Sequence, residues 1–291
     1  VTGKSSQVSL VKLGKVGKPI ITTIVVFYAA FFAIIPLISF ALESFLEVSG
    51  DYSTFTLYYW ITSEQTNAYI TGSVGLFRNK GIWRAFGNSL LISIICALIA
   101  GTFGILVGYG VAKKRGSRLA NYVSNLAFLP YLIPAMSFAT IYLIMSYTKA
   151  LSFLNGSLLL LIVVGSIKFL PFASKSGTNA MLQLSNEIEE AAIIVGVPWW
   201  KRMVRVLFPI QKSSFISGYL LPFVSCMREL TLFVLLTGSS TILTAVLQNY
   251  EKYDCVQISN GINLIIIVSV LVINLVVNKL TGASIDKGVG G

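Results

Sequence analysis

Six stretches of this chain are long enough and apolar enough to leave few folds open. They cover residues 20–42, 85–112, 121–147, 155–174, 213–236 and 258–278. A helix needs about 20 mainly apolar residues to cross the hydrocarbon core of a bilayer. Four of the runs contain no Asp, Glu, Lys or Arg; the fourth run carries Lys168, and the fifth carries Arg228 and Glu229. The runs are continuously apolar, whereas strands of a membrane barrel alternate over about ten residues. The expected fold is therefore an all-α membrane protein with six transmembrane helices. Composition agrees: 55% of the 291 residues are hydrophobic, only 11% are charged, and mean hydropathy is +0.80.

The segments between the runs set an expected orientation, because Lys and Arg accumulate on the cytoplasmic side. Lys4, Lys12, Lys15 and Lys18 precede the first run, and Lys113, Lys114, Arg115 and Arg118 follow the second, without an acid in either group. The segment after the fourth run holds Lys201, Arg202, Arg205 and Lys212. Residues 43–84 instead contain four acids and three bases, and residues 239–257 two acids and one base. The expected organisation is a cytoplasmic tail at 1–19, a first span at 20–42 and an extracytoplasmic loop at 43–84. A core of five spans follows at 85–280, with a cytoplasmic loop at 176–212, and a second cytoplasmic tail at 281–291. The net charge of +11 fits this topology and contact with anionic lipid, and the dispersed basic residues do not form a nucleic-acid face. The first tail is too polar and too long for a cleavable signal of standard form, so it is expected to be retained.

Other residue types narrow the chemistry. Lys168 is expected near one end of its span, snorkelling to the headgroups. Cys96, Cys226 and Cys255 cannot close a disulfide framework and read as small packing residues. The chain has no His, which removes imidazole triads and His-based metal or haem sites. No set of hard-oxygen or thiolate ligands can be read from spacing, so no metal site is assigned. Gly101, Gly104, Gly108 and Gly110 in the second span allow close helix approach. Pro130 and Pro134 in the third remove backbone donors and bend or interrupt it, as a packing kink or as part of a substrate path. Tyr52, Tyr58, Tyr59, Trp60, Tyr69 and Trp83 in the first loop fit an interfacial aromatic belt or a docking face for an extracytoplasmic partner.

Residues 176–212 read as two short helices joined by a turn. Asn186 is expected to cap the first, with Glu189 completing a capping box and Glu187, Glu189 and Glu190 complementing the positive helix end. Gly196 ends this helix, and Pro198 is placed to start the next. Trp199 and Trp200 beside Lys201, Arg202 and Arg205 make an amphipathic segment that can lie along the membrane interface before Pro209 leads into the fifth span.

Within this loop, Glu190-Ala191-Ala192, three residues, Gly196, nine residues, then Val206-Leu207-Phe208-Pro209 resembles the EAA signature of ABC importer permeases. Val206 and Phe208 stand where that family usually has Ile and Leu. The resemblance implies a type I ABC importer permease of the prokaryotic inner membrane, multi-pass, with both termini cytoplasmic. It implies that Glu190, Ala191, Ala192, Gly196 and Pro209 couple the spans to a cytoplasmic ATPase, the two Ala and the Gly keeping the surface shallow and Glu190 taking polar contacts. Implied partners are two ATPase subunits, a second permease half identical or homologous to this one, and an extracytoplasmic binding protein. The chain has no GxxxxGK[ST] phosphate loop, so ATP and Mg are expected on the partner ATPase and no cofactor in this chain.

Met227-Arg228-Glu229-Leu230-Thr231 is similar to the Arg-Glu-Leu-Ser/Thr sequence of permeases of the ferric iron type, as is Leu129-Pro130-Tyr131-Leu132-Ile133-Pro134 to their third-span segment. The resemblance covers roughly residues 85–278 and implies ferric iron as cargo, while related permeases move polyamines, sulfate, phosphonates or sugars. A charge inside a span costs about 2.5–3.5 kcal/mol on insertion scales. Arg228 and Glu229, about 100° apart if helical, are thus expected to face a path or gate, or to lock helices together. A membrane Ser/Lys hydrolase using Ser146 and Lys149 is the rival reading from a different class.

Overall fold

The apolar runs become helices, and the places where they fail to stay straight are where proline or charge interrupts them. A computed structural model describes residues 14–64, 74–237 and 241–283. Lys4, Lys12, Tyr69 and the tail from residue 284 onward lie outside these residues. The long helices are α1 (Gly17–Glu43), α2 (Lys80–Lys113), the pair α3 (Arg118–Leu132) and α4 (Ala135–Ser146), and α5 (Leu158–Leu182). Two short helices, α6 (Asn186–Ile194) and α7 (Trp199–Arg202), lead to a second pair, α8 (Lys212–Met227) and α9 (Thr231–Thr237). The chain then forms α10 (Leu243–Lys252) and α11 (Val256–Thr281). Within the described residues four helices are long and apolar enough to cross a membrane, or up to six spans if each bent pair is one. Among the described residues there is no named strand, only an isolated bridge between Leu46 and Phe55.

The centre of the bundle is the seam between α2 and α5, with α8 laid on both. Glycines make that seam possible. A Cβ on Gly104 would stand 2.4 Å from Ala173 Cβ, and one on Gly108 would stand 2.5 Å from the Thr178 backbone nitrogen. Gly101 gives the same room to the Tyr219 ring of α8. Gly110, the fourth glycine of the run, has open space around it and takes no part. Small residues that let backbones meet are how helices associate where lipid removes the hydrophobic drive between them.

Several expectations are corrected by the packing. Residues 121–147 do not form one continuous helix: α3 and α4 are bent by 98°, at the place where the two prolines were expected to bend or interrupt it. Ile133 is extended at φ −80°, ψ 128°, as a residue preceding proline tends to be, and Pro134 then starts α4. Lys168 does not snorkel to the headgroups, because α5 extends to Leu182 and places it in mid-helix. Its Nζ donates to Pro130 O at 2.9 Å and Ile133 O at 2.6 Å, and lies 5.2 Å from the Phe138 ring centroid. The carbonyls exposed by the bend thus find a cationic donor inside the protein. Trp60 is no belt residue: it is buried, stacks on Phe45 at 5.1 Å between centroids, and donates through Nε1 to Ser44 O at 2.9 Å.

Candidate functional site

Because α5 runs to Leu182, the loop between spans begins later than residue 176. Its first helix, α6, is capped by Ser185, whose hydroxyl accepts from Glu187 N. The expected capping box is therefore wrong, since Asn186 is already helical and Glu189 points elsewhere. The other end is closed by a Schellman pattern. Val197 N donates to Ala192 O at 3.0 Å and Gly196 N to Ile193 O at 2.8 Å, with Gly196 at φ +77°.

This geometry gives α6 two unlike faces. Glu190, Ala191, Ile193, Ile194, Val195 and Gly196 are exposed, with Ile194 85% and Val195 80% accessible. Isolated exposed aliphatics are ordinary, and a contiguous group at the tip of a helix is a candidate interaction surface. The opposite face carries Glu189, which is 3% accessible. Lys113 Nζ, at the end of α2, lies 2.5 Å from its Oε2, and Tyr109 Oη donates to its Oε1 at 2.6 Å. Arg202 Nε, on α7, is 3.6 Å from Oε1, and the same guanidinium donates to Val197 O at 2.8 Å. Burial pushes the Glu189 carboxyl up, but the Lys113 and Tyr109 hydrogen bonds and the nearby Lys113 and Arg202 charges outweigh it and hold the group below the usual carboxylate range. What this cluster stabilises is present above the unfolded carboxylate pKa and is lost only as pH falls through the lowered folded value, so it does not titrate near neutrality.

The second half of the loop is anchored by apolar burial. Met203 and Leu207 enter a cluster with Ile105, Ala180, Met181 and Phe215. Pro209 is exposed, in the single turn Phe208–Ile210 just ahead of α8. The predicted residues Glu190, Ala191, Ala192, Gly196 and Pro209 thus share one loop. Glu189 was missed; nothing in the sequence marks which of three neighbouring glutamates turns inward to bases far away in the chain.

The predicted path residues gather elsewhere. Arg228 and Glu229 are not neighbours within a helix, because α8 ends at Met227, α9 begins at Thr231, and the two are bent by 60°. Glu229 Oε1 accepts from Leu232 N at 2.9 Å, capping α9, and Thr244 Oγ1 donates to Glu229 O at 2.9 Å. Arg228 lies exposed on a cavity of about 380 Å³ with Thr244, Asn263 and aliphatic residues of α11. Among the described residues no carboxylate pairs with it. The other bend, at Pro130 and Pro134, borders an apolar cavity of about 480 Å³ that includes Pro130, Ile133, Phe138 and Tyr142. The helices that follow the two bends, α4 and α9, pack against each other, and Ile133 and Leu230, one from each break, pack on the same apolar cluster. Both breaks therefore meet in one region of the core.

The rival hydrolase chemistry finds no support in this geometry. Ser146 is 1% accessible and its hydroxyl donates to Leu143 O at 2.7 Å. Lys149, three residues on, is exposed.

A family of sequences described as binding-protein-dependent transport system inner membrane components matches residues 100–286, the loop, both breaks and the last span included. The chain belongs to this family. It is thus a multi-pass inner-membrane permease component rather than an enzyme. Among curated relatives, the ferric transport system permease protein FbpB of Actinobacillus pleuropneumoniae is 22% identical over 235 residues, 79% of this permease and 34% of its own length. The phosphate transport system permease protein PstA 1 of Mycobacterium tuberculosis (strain CDC 1551 / Oshkosh) is 26% identical over 166 residues, 55% of this chain and 52% of its own. The permease spans about a third of the length of the ferric relatives it matches. In fold it is similar to a chain in the crystal structure of a bacterial ABC transporter involved in the import of the acidic polysaccharide alginate, with a TM-score of 0.65 at 15% identity, over 90% of this chain and 94% of that one.

Substitution separates a path role from a locking role at the second break. Arg228→Gln and Glu229→Gln are expected to abolish uptake while the complex still assembles. Gln at 229 keeps the carbonyl that caps α9 and removes only the charge. Loss of the assembled complex on detergent extraction would make the pair a lock between helices.

Proposed function

We propose that this permease is the membrane half of an ATP-driven importer, with α6 and the following turn seated on a cytoplasmic ATPase. The observation that carries this is the two-faced α6, which offers Glu190, Ala191 and the Ile193–Val195 tip outward while Glu189 is held from behind. The basic first tail and the basic segments after the second and fourth runs support a cytoplasmic position for this face. The functional unit then contains a second permease half, identical or homologous, two ATPase subunits holding ATP and Mg, and an extracytoplasmic binding protein that delivers cargo. ATP binding closes the ATPases and moves the loop; the spans rearrange about the two breaks, open outward to take the cargo, and reset on hydrolysis.

For the cargo we favour ferric iron. The Arg228-Glu229-Leu230-Thr231 sequence and relatives named for ferric transport support it. Relatives named for sulfate and phosphate transport keep another small solute, polyamines, phosphonates and sugars included, as the alternative.

Gly196→Val tests the coupling reading. Valine at φ +77° costs roughly 1–3 kcal/mol of backbone strain, with no clash to complicate the result because nothing lies within 4 Å of the added Cβ. The Schellman turn opens and the Ile194–Val195 tip moves. ATP-driven uptake into cells is expected to fall at least tenfold while the chain still accumulates in the membrane and less ATPase co-purifies. Unimpaired uptake would count decisively against the proposal.

A further inference from the structure

Helix α2 is held at both ends by groups distant in sequence. At one end Lys113 and Tyr109 grip Glu189 of α6. At the other, Asn79, its N-cap, donates to Tyr250 Oη at 3.0 Å, and Asn88 donates to Thr241 O at 2.9 Å. Ser89 Oγ accepts from Leu243 N at 2.9 Å. The gripped segment, 241–250, begins close after α9, and its Thr244 holds the Glu229 carbonyl in the second break. Thirty-four helical residues at 1.5 Å each make α2 a strut about 50 Å long.

The chain itself offers a different connection. Along the backbone, α6 joins the bundle only through Gln183–Ser185 to α5 and through α7 and its continuation to α8. A third link is non-covalent: two cations on different elements and a phenol converge on Glu189 from the side opposite the exposed face, and Lys113 Nζ also donates to Asn186 Oδ1 at 3.3 Å. Glu189 is buried, whereas the Lys113 side chain keeps 31% of its surface accessible.

We propose that Glu189 is a positioning residue that latches α6 to α2, so that movement of the loop enters the membrane through α2 and reaches the Arg228–Leu230 break by contact, in parallel with the covalent connections. The inference rests on the reading of α6 as the ATPase seat. Transmission requires an element that both the loop and the cargo bias, and the proposal assigns that role to the break.

The test uses the assembled transporter, chain with its ATPase, in liposomes, and reads the break directly. Leu230→Cys is labelled with a membrane-impermeant maleimide with and without ATP plus vanadate; the native cysteines are all buried. In the background carrying only this change, nucleotide is expected to alter the labelling rate at least fivefold, and no change there overturns the coupling reading itself. With that response in hand, Glu189→Gln and Lys113→Met are each expected to cut it to less than twofold while the ATPase stays bound and still hydrolyses ATP. The double variant is expected to fall short of the product of the two single effects, because both variants lose the Lys113–Glu189 pair. A full nucleotide response in Glu189→Gln overturns the latch. So does independent multiplication of the two effects, or loss of ATPase binding in both variants, which would make the cluster a docking scaffold instead. Lys113→Arg, which keeps the charge, is expected to retain at least half the response, and failure of this variant overturns the assignment of the cation.

Discussion

Replacing Gly108 by leucine is expected to remove the folded permease from the membrane almost entirely. The added Cβ would stand 2.5 Å from the Thr178 nitrogen and 2.6 Å from the Gly177 carbonyl carbon. Both are backbone atoms of α5, so no rotamer can yield and the two helices must separate. Overpacking ordinarily costs about 1–3 kcal/mol where side chains can adjust; against backbone the cost is expected to exceed that range. A stability of about 5–15 kcal/mol for a whole domain leaves little in reserve once the α2–α5 seam opens and α8 loses its seat. The contrast is two residues away. Gly110→Leu meets open space and should leave yield, elution volume in detergent and thermal midpoint unchanged. Equal behaviour of the two variants would show that the seam is not where the chain derives its stability. Gly108→Ala should fall between them, accumulating but melting at lower temperature.

Lys168→Met is expected to have the next largest effect, on stability and transport together. The ammonium satisfies Pro130 O and Ile133 O, which the 98° bend leaves without helical partners. Hydrogen bonds to charged groups are worth about 1.5–3 kcal/mol each in soluble proteins, while intramembrane polar contacts average nearer 0.6 and reach about 1.7. Two contacts therefore suggest a loss of roughly 2–3 kcal/mol, read as a drop in the thermal midpoint of the purified chain. Methionine fills a similar volume, which keeps a cavity from confusing the result. Uptake should fall more steeply than stability, since the bend between α3 and α4 is held by the same two bonds. Lys168→Arg should recover most of both. A methionine variant with unchanged midpoint would mean that water or the partner half supplies the donors.

The all-helical membrane fold was legible because each apolar run is long and shows no strand alternation, and the first break was legible because Pro130 and Pro134 remove donors at stated positions. The second break was not. Arg228 and Glu229 read as charges within a helix, and no Pro or Gly marks the place where α8 stops; its geometry comes from Glu229 capping α9 and from Thr244, fifteen residues on, holding the Glu229 carbonyl. Lys168 was misplaced for a related reason, since a lysine near the end of an apolar run looks like an anchor for headgroups until α5 is seen to continue to Leu182. In the loop, the signature spacing and Gly196 carried over directly, because a left-handed turn leaves a local mark in the sequence. Glu189 left none: its partners Lys113 and Arg202 lie on other elements, and local capping rules assigned it to the helix end.

The glycine seam has a consequence for the kind of movement open to this permease. Packed helices slide past one another when side chains can exchange one set of holes for the next, a shear motion made of many small rotamer steps. Where α2 meets α5, backbone faces backbone at Gly104 and Gly108, and there are no rotamers to exchange. That pair can translate or tilt only as a single body. Displacement has to be absorbed elsewhere, as hinge rotation at the two bends, and the stiffest part of the molecule thereby decides where its flexibility is located.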